Sequence, residues 1–504
     1  MNRAVALLSR HRAALFYGVA GLAMFVFANL RSPLPNEDGV LYLMLAERIS
    51  EGGLAAGFDL FDRPLYSGMI AVIHGITGLG FVASAHVLNA SCVLGMVAAF
   101  LLLCRTLYDD ASVVPWAAAL LLAHPKINNY FAFVIRDLGY WCLLLTALVF
   151  FLRFVSAGGR HRLAGWAVCV LLAAAFKPEA LAFGAVLPLA LLWRGRWRAL
   201  RDAAFAWSLI LLPLGAAALL LGTRAGALAP PARELPQLPG DLLAAIPRAF
   251  SEAAARYAQG VLDPYSHDVA GLSLAGGLLT ILVFKLLNTL GPAQVLLVAS
   301  GRRLGGILPA EPLRPAFFLA LGCGTLMAGL FVAYRQFLDT RYVMVPALLL
   351  LALAARALQG VARQCLRVEG TRRLVAIAAI PAVLLLDWGL GLDRSKPHML
   401  ACIEWMRATL APGTHLFTND KQLAAASGLH WEWDEVRDVN LVFAEGRAPF
   451  GADTVWAIRL REGQENLAQA LARESARLVP ITQFTGEKGD RIVLLRPLPD
   501  AAQP

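Results

Sequence analysis

The sequence predicts a polytopic α-helical membrane protein that carries a small C-terminal α/β domain. Three observations predict it. Hydrophobic residues fill 58% of the 504 positions and charged residues only 16%, a balance too apolar for a water-soluble chain of this length. Apolar runs of about 20 residues, long enough to cross a bilayer as helices, recur from Ala13 to Gly391. From Leu392 to Pro504 the charges are spread throughout and the composition is that of an ordinary globular domain. A membrane domain over 1–391 and a soluble domain over 392–504 follow.

Basic residues punctuate the apolar runs and fix their order. Arg3, Arg10 and Arg12, then Arg153, Arg160 and Arg162, then Arg194, Arg196, Arg198 and Arg201, then Arg302, Arg303 and Arg314, and finally Arg356, Arg363, Arg367, Arg372 and Arg373 each fill a short connection. Cytoplasmic loops carry this excess of Lys and Arg. The same distribution accounts for the formal net charge of +10 without any nucleic-acid partner. Working inward from these clusters gives about eleven spans, near 13–30, 82–104, 113–130, 137–152, 163–177, 178–193, 202–221, 278–300, 316–333, 342–358 and 374–391. The N-terminus is then cytoplasmic and the C-terminal domain lies on the outer face, which in a bacterium is the periplasm. The first apolar stretch has no small-residue cleavage site after it and reads as a retained helix.

Two stretches of the first outer loop are helical without spanning. Counting 64–80 as a span would turn the later arginine clusters outward, so it reads as a helix lying in the interface, and Asp38–Ser50 reads as a second. The outer segment from Gly222 to His267 is long and rich in proline, and a structureless loop of that length serves either as a lid or as a linker. The seven cysteines form no CxxC pair, so neither a disulfide framework nor a zinc site is expected. In the C-terminal domain Glu404–Leu410 and Gly463–Ser475 read as helices, and His415–Thr418, Val455–Leu460 and Arg491–Leu495 as strands. No P-loop or dinucleotide fingerprint occurs.

Acidic residues gather outward. Glu37, Asp38, Asp62, Asp137, Glu179 and Asp339 all fall on the outer side of this topology, whereas the orientation rule depends little on carboxylates. A polar cavity opening outward explains the bias. Carboxylates beside a bilayer are costly unless solvated, paired or used in chemistry. Asp38 and Tyr42 are spaced i, i+4 and share one helix face. A carboxylate there either accepts a proton from an incoming hydroxyl or simply caps a first turn. Arg63, before Pro64, either binds phosphate through its planar fork or snorkels to lipid headgroups. Arg136 with Asp137, and Lys177 with Glu179 across Pro178, read as neighbouring charges that neutralise each other or line a site. Arg341-Tyr342 opens a late span at the depth where Arg and Tyr anchor anyway. A divalent metal on His267, Asp38 or other acids fits the composition, but no ligand spacing enforces it, so no metal or cofactor is assigned.

Taken together, Glu37-Asp38-Gly39-Val40-Leu41-Tyr42, Arg63-Pro64-Leu65-Tyr66, Arg136-Asp137, Lys177-Pro178-Glu179 and Arg341-Tyr342-Val343-Met344-Val345-Pro346 resemble the pattern of the C-class (GT-C) integral-membrane glycosyltransferases. The resemblance is to the bacterial members similar to protein O-mannosyltransferases and to the lipid A aminoarabinose transferase. It implies inverting transfer of a monosaccharide from a polyprenyl-phosphate donor, undecaprenyl phosphate in a bacterium, to a lipid, glycan or protein acceptor on the periplasmic side of the inner membrane. It implies further that Asp38 is the base, that Asp137 is the acidic residue of the second outer loop, and that Arg63 and Arg341 face the donor phosphate. Many members have Asp-Glu where this chain has Glu37-Asp38-Gly39, which leaves the role of Glu37 open. Two other classes remain: a lipid-linked sugar flippase or transporter, and a noncatalytic glycan-assembly subunit.

Overall fold

The structure is a computed structural model of the chain. It describes every residue except 1, 59–60, 62, 194–196, 225–238, 302–305, 368–377, 380, 387–388, 390–395, 438, 440–441, 443–447, 452, 488 and 499–504, and no side chains for 2–14, 220–224, 239–244 and 437. Asp62, half of the expected span 374–391 and residues 225–238 of the proline-rich segment therefore lie outside the described residues. The chain divides into two compact units, one of Met1–Val26, Leu45–Phe131 and Ile135–Leu392, the other of Phe27–Met44, Ala132–Val134 and Asp393–Pro504.

The helices run in order α1 (Asn2–Arg31), α2 (Glu37–Gly52), α3 (Leu54–Phe58), α4 (Leu65–Thr77), α5 (Phe81–Tyr108), α6 (Val114–Ala123), α7 (Pro125–Phe131), α8 (Asp137–Ala157), α9 (Arg160–Phe176), α10 (Ala180–Val186), α11 (Leu189–Leu192), α12 (Trp197–Arg224), α13 (Pro239–Val261), α14 (Ala270–Leu290), α15 (Pro292–Ser300), α16 (Arg314–Arg335) and α17 (Met344–Cys365). Among the described residues six helical stretches are long and apolar enough to cross a membrane: Phe81–Tyr108, Asp137–Ala157, Trp197–Leu219, Pro264–Leu290, Glu311–Arg335 and Met344–Cys365. Shorter apolar helices cover Leu15–Arg31, Leu65–Thr77, Ala111–Ala123 and Ala180–Leu192.

Several expected spans are broken where proline or glycine ends the backbone ladder. The expected 113–130 stops at His124 and restarts at Pro125. The expected 178–193 is two short pieces around Pro188. The expected 278–300 begins earlier, at Ala270, and is divided at Gly291, whose φ of 93° favours glycine. The segment expected to be structureless contains α13, which runs through Pro247.

Within the first unit α8 and α17 are the most enclosed spans, with 72% and 78% of their apolar windows buried against 17% for α12 and α14. Close approach accounts for it. A Cβ at Gly95 would lie 2.5 Å from Cys142 Sγ, and one at Gly139 2.5 Å from the Phe176 ring, so α5 and α9 press directly on α8. At one end of the bundle Asp110 accepts from Ser112 N at 2.9 Å and pairs with Arg356 at 2.8 Å and Arg363 at 3.2 Å, tying the α5–α6 turn to α17. The hydrogen bonds from Ser112, with those from Arg356 and Gln359, hold the Asp110 carboxyl well below the usual carboxylate range.

The second unit is built on a four-stranded sheet, order β1-β2-β4-β3, from β1 (His415–Thr418), β2 (Thr454–Leu460), β3 (Leu478–Thr485) and β4 (Arg491–Pro497). β1 and β2 are parallel and the other pairs antiparallel. Its helices are α18 (Pro397–Thr409), α19 (Lys421–Ser427), α20 (Trp433–Arg437) and α21 (Glu465–Arg473). Alternation along β2 splits the core between the two faces. Val455 and Ala457 join Met399, Cys402, Ile403 and Met406 of α18 on one side, while Trp456, Ile458 and Leu460 join Leu467 and Leu478 on the other. Leu34, from the amino-terminal segment of this unit, packs on the first of these cores.

Candidate active site

Several candidate residues of the first unit meet at the start of α8. Asp137 occupies its first turn and is buried. Lys177 caps α9 in an extended conformation, φ −147° and ψ 118°, as the residue before a proline is driven to be. Its side chain, also buried, forms an ion pair with Asp137. The ammonium of Lys177 lies 4.9 Å from the centre of the Tyr342 ring and 5.7 Å from that of Tyr140. One cation is therefore held by a carboxylate and two aromatic faces, which together replace much of its lost hydration.

The turn that delivers Tyr342 is fixed from below. Asp339 caps it by accepting from Arg341 N at 3.0 Å and also accepts from the Tyr130 hydroxyl at 2.9 Å. The Tyr130 ring meets Trp141 of α8 edge-on at 5.2 Å. Tyr342 stacks on Phe331 with centroids 3.8 Å apart, and the Arg341 guanidinium stands 5.3 Å from the Tyr342 ring. Arg136 lies 5.2 Å from the Phe61 ring, while its Nη1 and the Oε2 of Glu179 are buried atoms with no hydrogen-bond partner among the described residues. Buried polar atoms normally have a partner, so these two call for water or a polar ligand.

The neighbouring-pair expectation is corrected here. Lys177 pairs with Asp137 across two helices and not with Glu179, two residues on, the extended backbone at Lys177 ending α9 there. Tyr140 and Tyr130 escaped the sequence reading. Tyr140 had a signal, since it lies one helical turn after Asp137; Tyr130 had none. Asn89, which matches a glycosylation acceptor, is buried and accepts from the Tyr66 hydroxyl at 2.9 Å.

Arg63 belongs to the first unit, half-buried ahead of α4. Glu37, Asp38 and Tyr42 belong to the second. There Asp38 sits half-buried in the first turn of α2, and Tyr42, one turn on, is buried. Asn36 Oδ1 accepts from Val134 N at 2.8 Å. A Cβ at Gly39 would come within 2.7 Å of that same oxygen and 2.9 Å of Val134 Cβ, so the close docking of this turn requires glycine. Among the described residues no three His, Cys, Asp or Glu side chains are grouped to hold a metal ion.

No protein-family model matches the chain. No curated protein matches it in sequence. Among solved structures it is similar over 98% of its own length, and 99% of the other chain, to ArnT from Cupriavidus metallidurans bound to undecaprenyl phosphate, with a TM-score of 0.55 and 14% identity. The chain has the fold of ArnT. At this identity the likeness to ArnT speaks for the fold alone.

Proposed function

We propose that the protein transfers a monosaccharide from a polyprenyl-phosphate donor to an acceptor hydroxyl, with inversion. The observation that carries this reading is the buried Lys177–Asp137 pair roofed by Arg341-Tyr342, in the fold of a protein crystallised with undecaprenyl phosphate. A lipid-linked donor arrives laterally, so its phosphate needs fixed cations at membrane depth. Arg341, Arg136 and Arg63 supply that charge, and Lys177, paired with Asp137, adds to it. Asp38 takes the proton of the acceptor hydroxyl as its oxygen attacks the anomeric carbon. The bond from that carbon to the phosphate oxygen breaks, and its electron pair leaves with the phosphate. A positioned base contributes about 10²–10⁴ in rate and a preorganised charge donor about 10²–10³. Glu179 and Tyr342 line the donor end, and Glu37 and Tyr42 flank Asp38. In this reading the protein is a multi-pass protein of the bacterial inner membrane, its N-terminus cytoplasmic and its C-terminal sheet periplasmic.

The test uses the purified full chain in lipid nanodiscs with undecaprenyl-phosphate-linked sugars and an envelope lipid extract as acceptor. Wild type releases undecaprenyl phosphate, and Asp38→Asn and Arg63→Ala each lower release at least about 100-fold. Release at full rate from Asp38→Asn overturns the proposal. Movement of labelled donor between leaflets without any release replaces it with a transporter.

A further inference from the structure

The segment that bears Asp38 is clustered with residues at the far end of the chain. Asn419 and Arg459, which close the parallel strands β1 and β2, exchange two hydrogen bonds of 2.8 Å, side-chain amide to main chain in both directions. That brings Asp420 and Gln422 from one strand end beside Arg459 and Arg461 from the other. Asp420 caps α19, accepting from Gln422 N at 2.8 Å and Leu423 N at 3.2 Å, and so fixes where Gln422 points. Gln422 is buried; its Oε1 accepts from Lys396 at 2.6 Å and its Nε2 donates to the carbonyl of Pro35 at 2.6 Å. Arg461 Nη2 lies 3.3 Å from Glu37 Oε1 and 3.4 Å from Asp420 Oδ2. Arg459 backs the arrangement with a 2.7 Å bond to Asp420 and a two-pronged one to Asp490.

Residues 34–37 are thus held at consecutive points: Leu34 in the apolar core, Pro35 by Gln422, Asn36 on Val134 and Glu37 by Arg461. Asp38 is next. We infer that the C-terminal sheet sets the position of Asp38, with Gln422 and Arg461 as positioning residues for the transfer. The inference rests on Asp38 being the base. Glu37 also gains a role through it, as the handle by which the turn is held. The exposed Arg461–Glu37 contact is the weaker grip and the part-buried Gln422–Pro35 bond the stronger, because screening by water weakens exposed ion pairs and burial raises the cost of an unmade amide bond.

The experiment compares wild type, Arg461→Ala, Arg461→Lys, and Arg461→Ala with Gln422→Leu, all as full chains in nanodiscs. Displacing a catalytic group by about 1 Å costs up to 10²-fold in rate. The double variant is expected to lose about 10- to 100-fold in kcat while KM for the undecaprenyl-phosphate donor stays within about twofold. Arg461→Lys recovers most of what Arg461→Ala loses. Hydrogen exchange is expected to quicken over 33–44 while β1, β2 and β4 stay protected, which separates lost positioning from lost folding. Wild-type kcat in the double variant, or unchanged exchange over 33–44, overturns the inference and leaves the proposed activity standing. If Asp38→Asn instead turns over at full rate, the assignment of the base fails, and exchange over 33–44 alone upholds or overturns the grip.

Discussion

Lys177 pairs with Asp137 in the interior of the bundle, beneath the ring of Tyr342. Removing either partner alone leaves an uncompensated buried charge, which costs about 3–5 kcal/mol. Lys177→Met and Asp137→Leu singly are therefore expected to lower the melting temperature in micelles sharply, whereas the double replacement regains much of the stability. On the proposed reading activity does not return with it, since a cation for the donor phosphate is gone. A single variant that melts like wild type would contradict the burial of the pair.

Tyr342 acts on Lys177 through its ring face, so the hydroxyl is dispensable for that contact. Tyr342→Phe is expected to leave the donor KM unchanged. Tyr342→Leu removes a cation–π contact worth about 0.5–2 kcal/mol and raises KM correspondingly. Equal effects from the two replacements would show that the hydroxyl, not the ring, carries the interaction.

Gly39 has no room for a methyl group against Asn36 and Val134. Gly39→Ala forces the turn off its seat, with an expected cost of about 1–3 kcal/mol. The loss appears as faster hydrogen exchange over 33–44 and reduced turnover, and a variant indistinguishable from wild type in both would refute the close docking.

His398 sets an acid limit on the C-terminal sheet. Its ring is buried, 3.2 Å from Asp490, with Arg459 and Lys396 also facing it. Burial is the largest influence and holds its pKa below the ordinary 6.5 despite the pull of Asp490. The unfolded chain then takes up the proton more readily, so stability is full above about pH 6.5 and declines as pH falls below it. Asp490, lowered from 3.8 chiefly by its bond to Arg459, stays ionised through that window. Burial raises Glu435 above 4.5, which works in the opposite sense, its contribution falling as pH rises. The difference between wild type and His398→Gln removes the Glu435 effect. Exchange protection of β4, followed from pH 7 to pH 5, is expected to fall in wild type and to be flatter in His398→Gln; parallel curves would exclude His398 as the cause.

Elements with strong local patterns were legible in the sequence. His415–Thr418 was readable as a strand to the residue, and Val455–Leu460 to within one, because both are dense in β-branched or aromatic residues between turn signals. β3 was missed: it lies at the sheet edge, mostly exposed, and Pro480 sits at its bulge, so neither alternation nor composition announces it. Helix α13 was hidden by prolines, of which Pro239 falls at its start and Pro247 is tolerated inside. At the candidate site the motifs Arg136-Asp137, Lys177-Pro178-Glu179 and Arg341-Tyr342 stood out as charge beside apolar sequence. Which charge meets which depends on the backbone turn at Lys177, and adjacency along the chain misled. Gln422 and Arg461 carried no signal, since they belong to ordinary-looking polar stretches whose partners are distant in sequence.

The separation of 424 in sequence between Glu37 and Arg461 bears on the order of biosynthesis. The turn that carries Asp38 leaves the ribosome well before the residues that seat it. Until β2 has been made, the amino-terminal turn lacks its anchor. On the proposed reading of Asp38 as the base, a polypeptide that stops short of β2 would carry that residue on a turn without its grip.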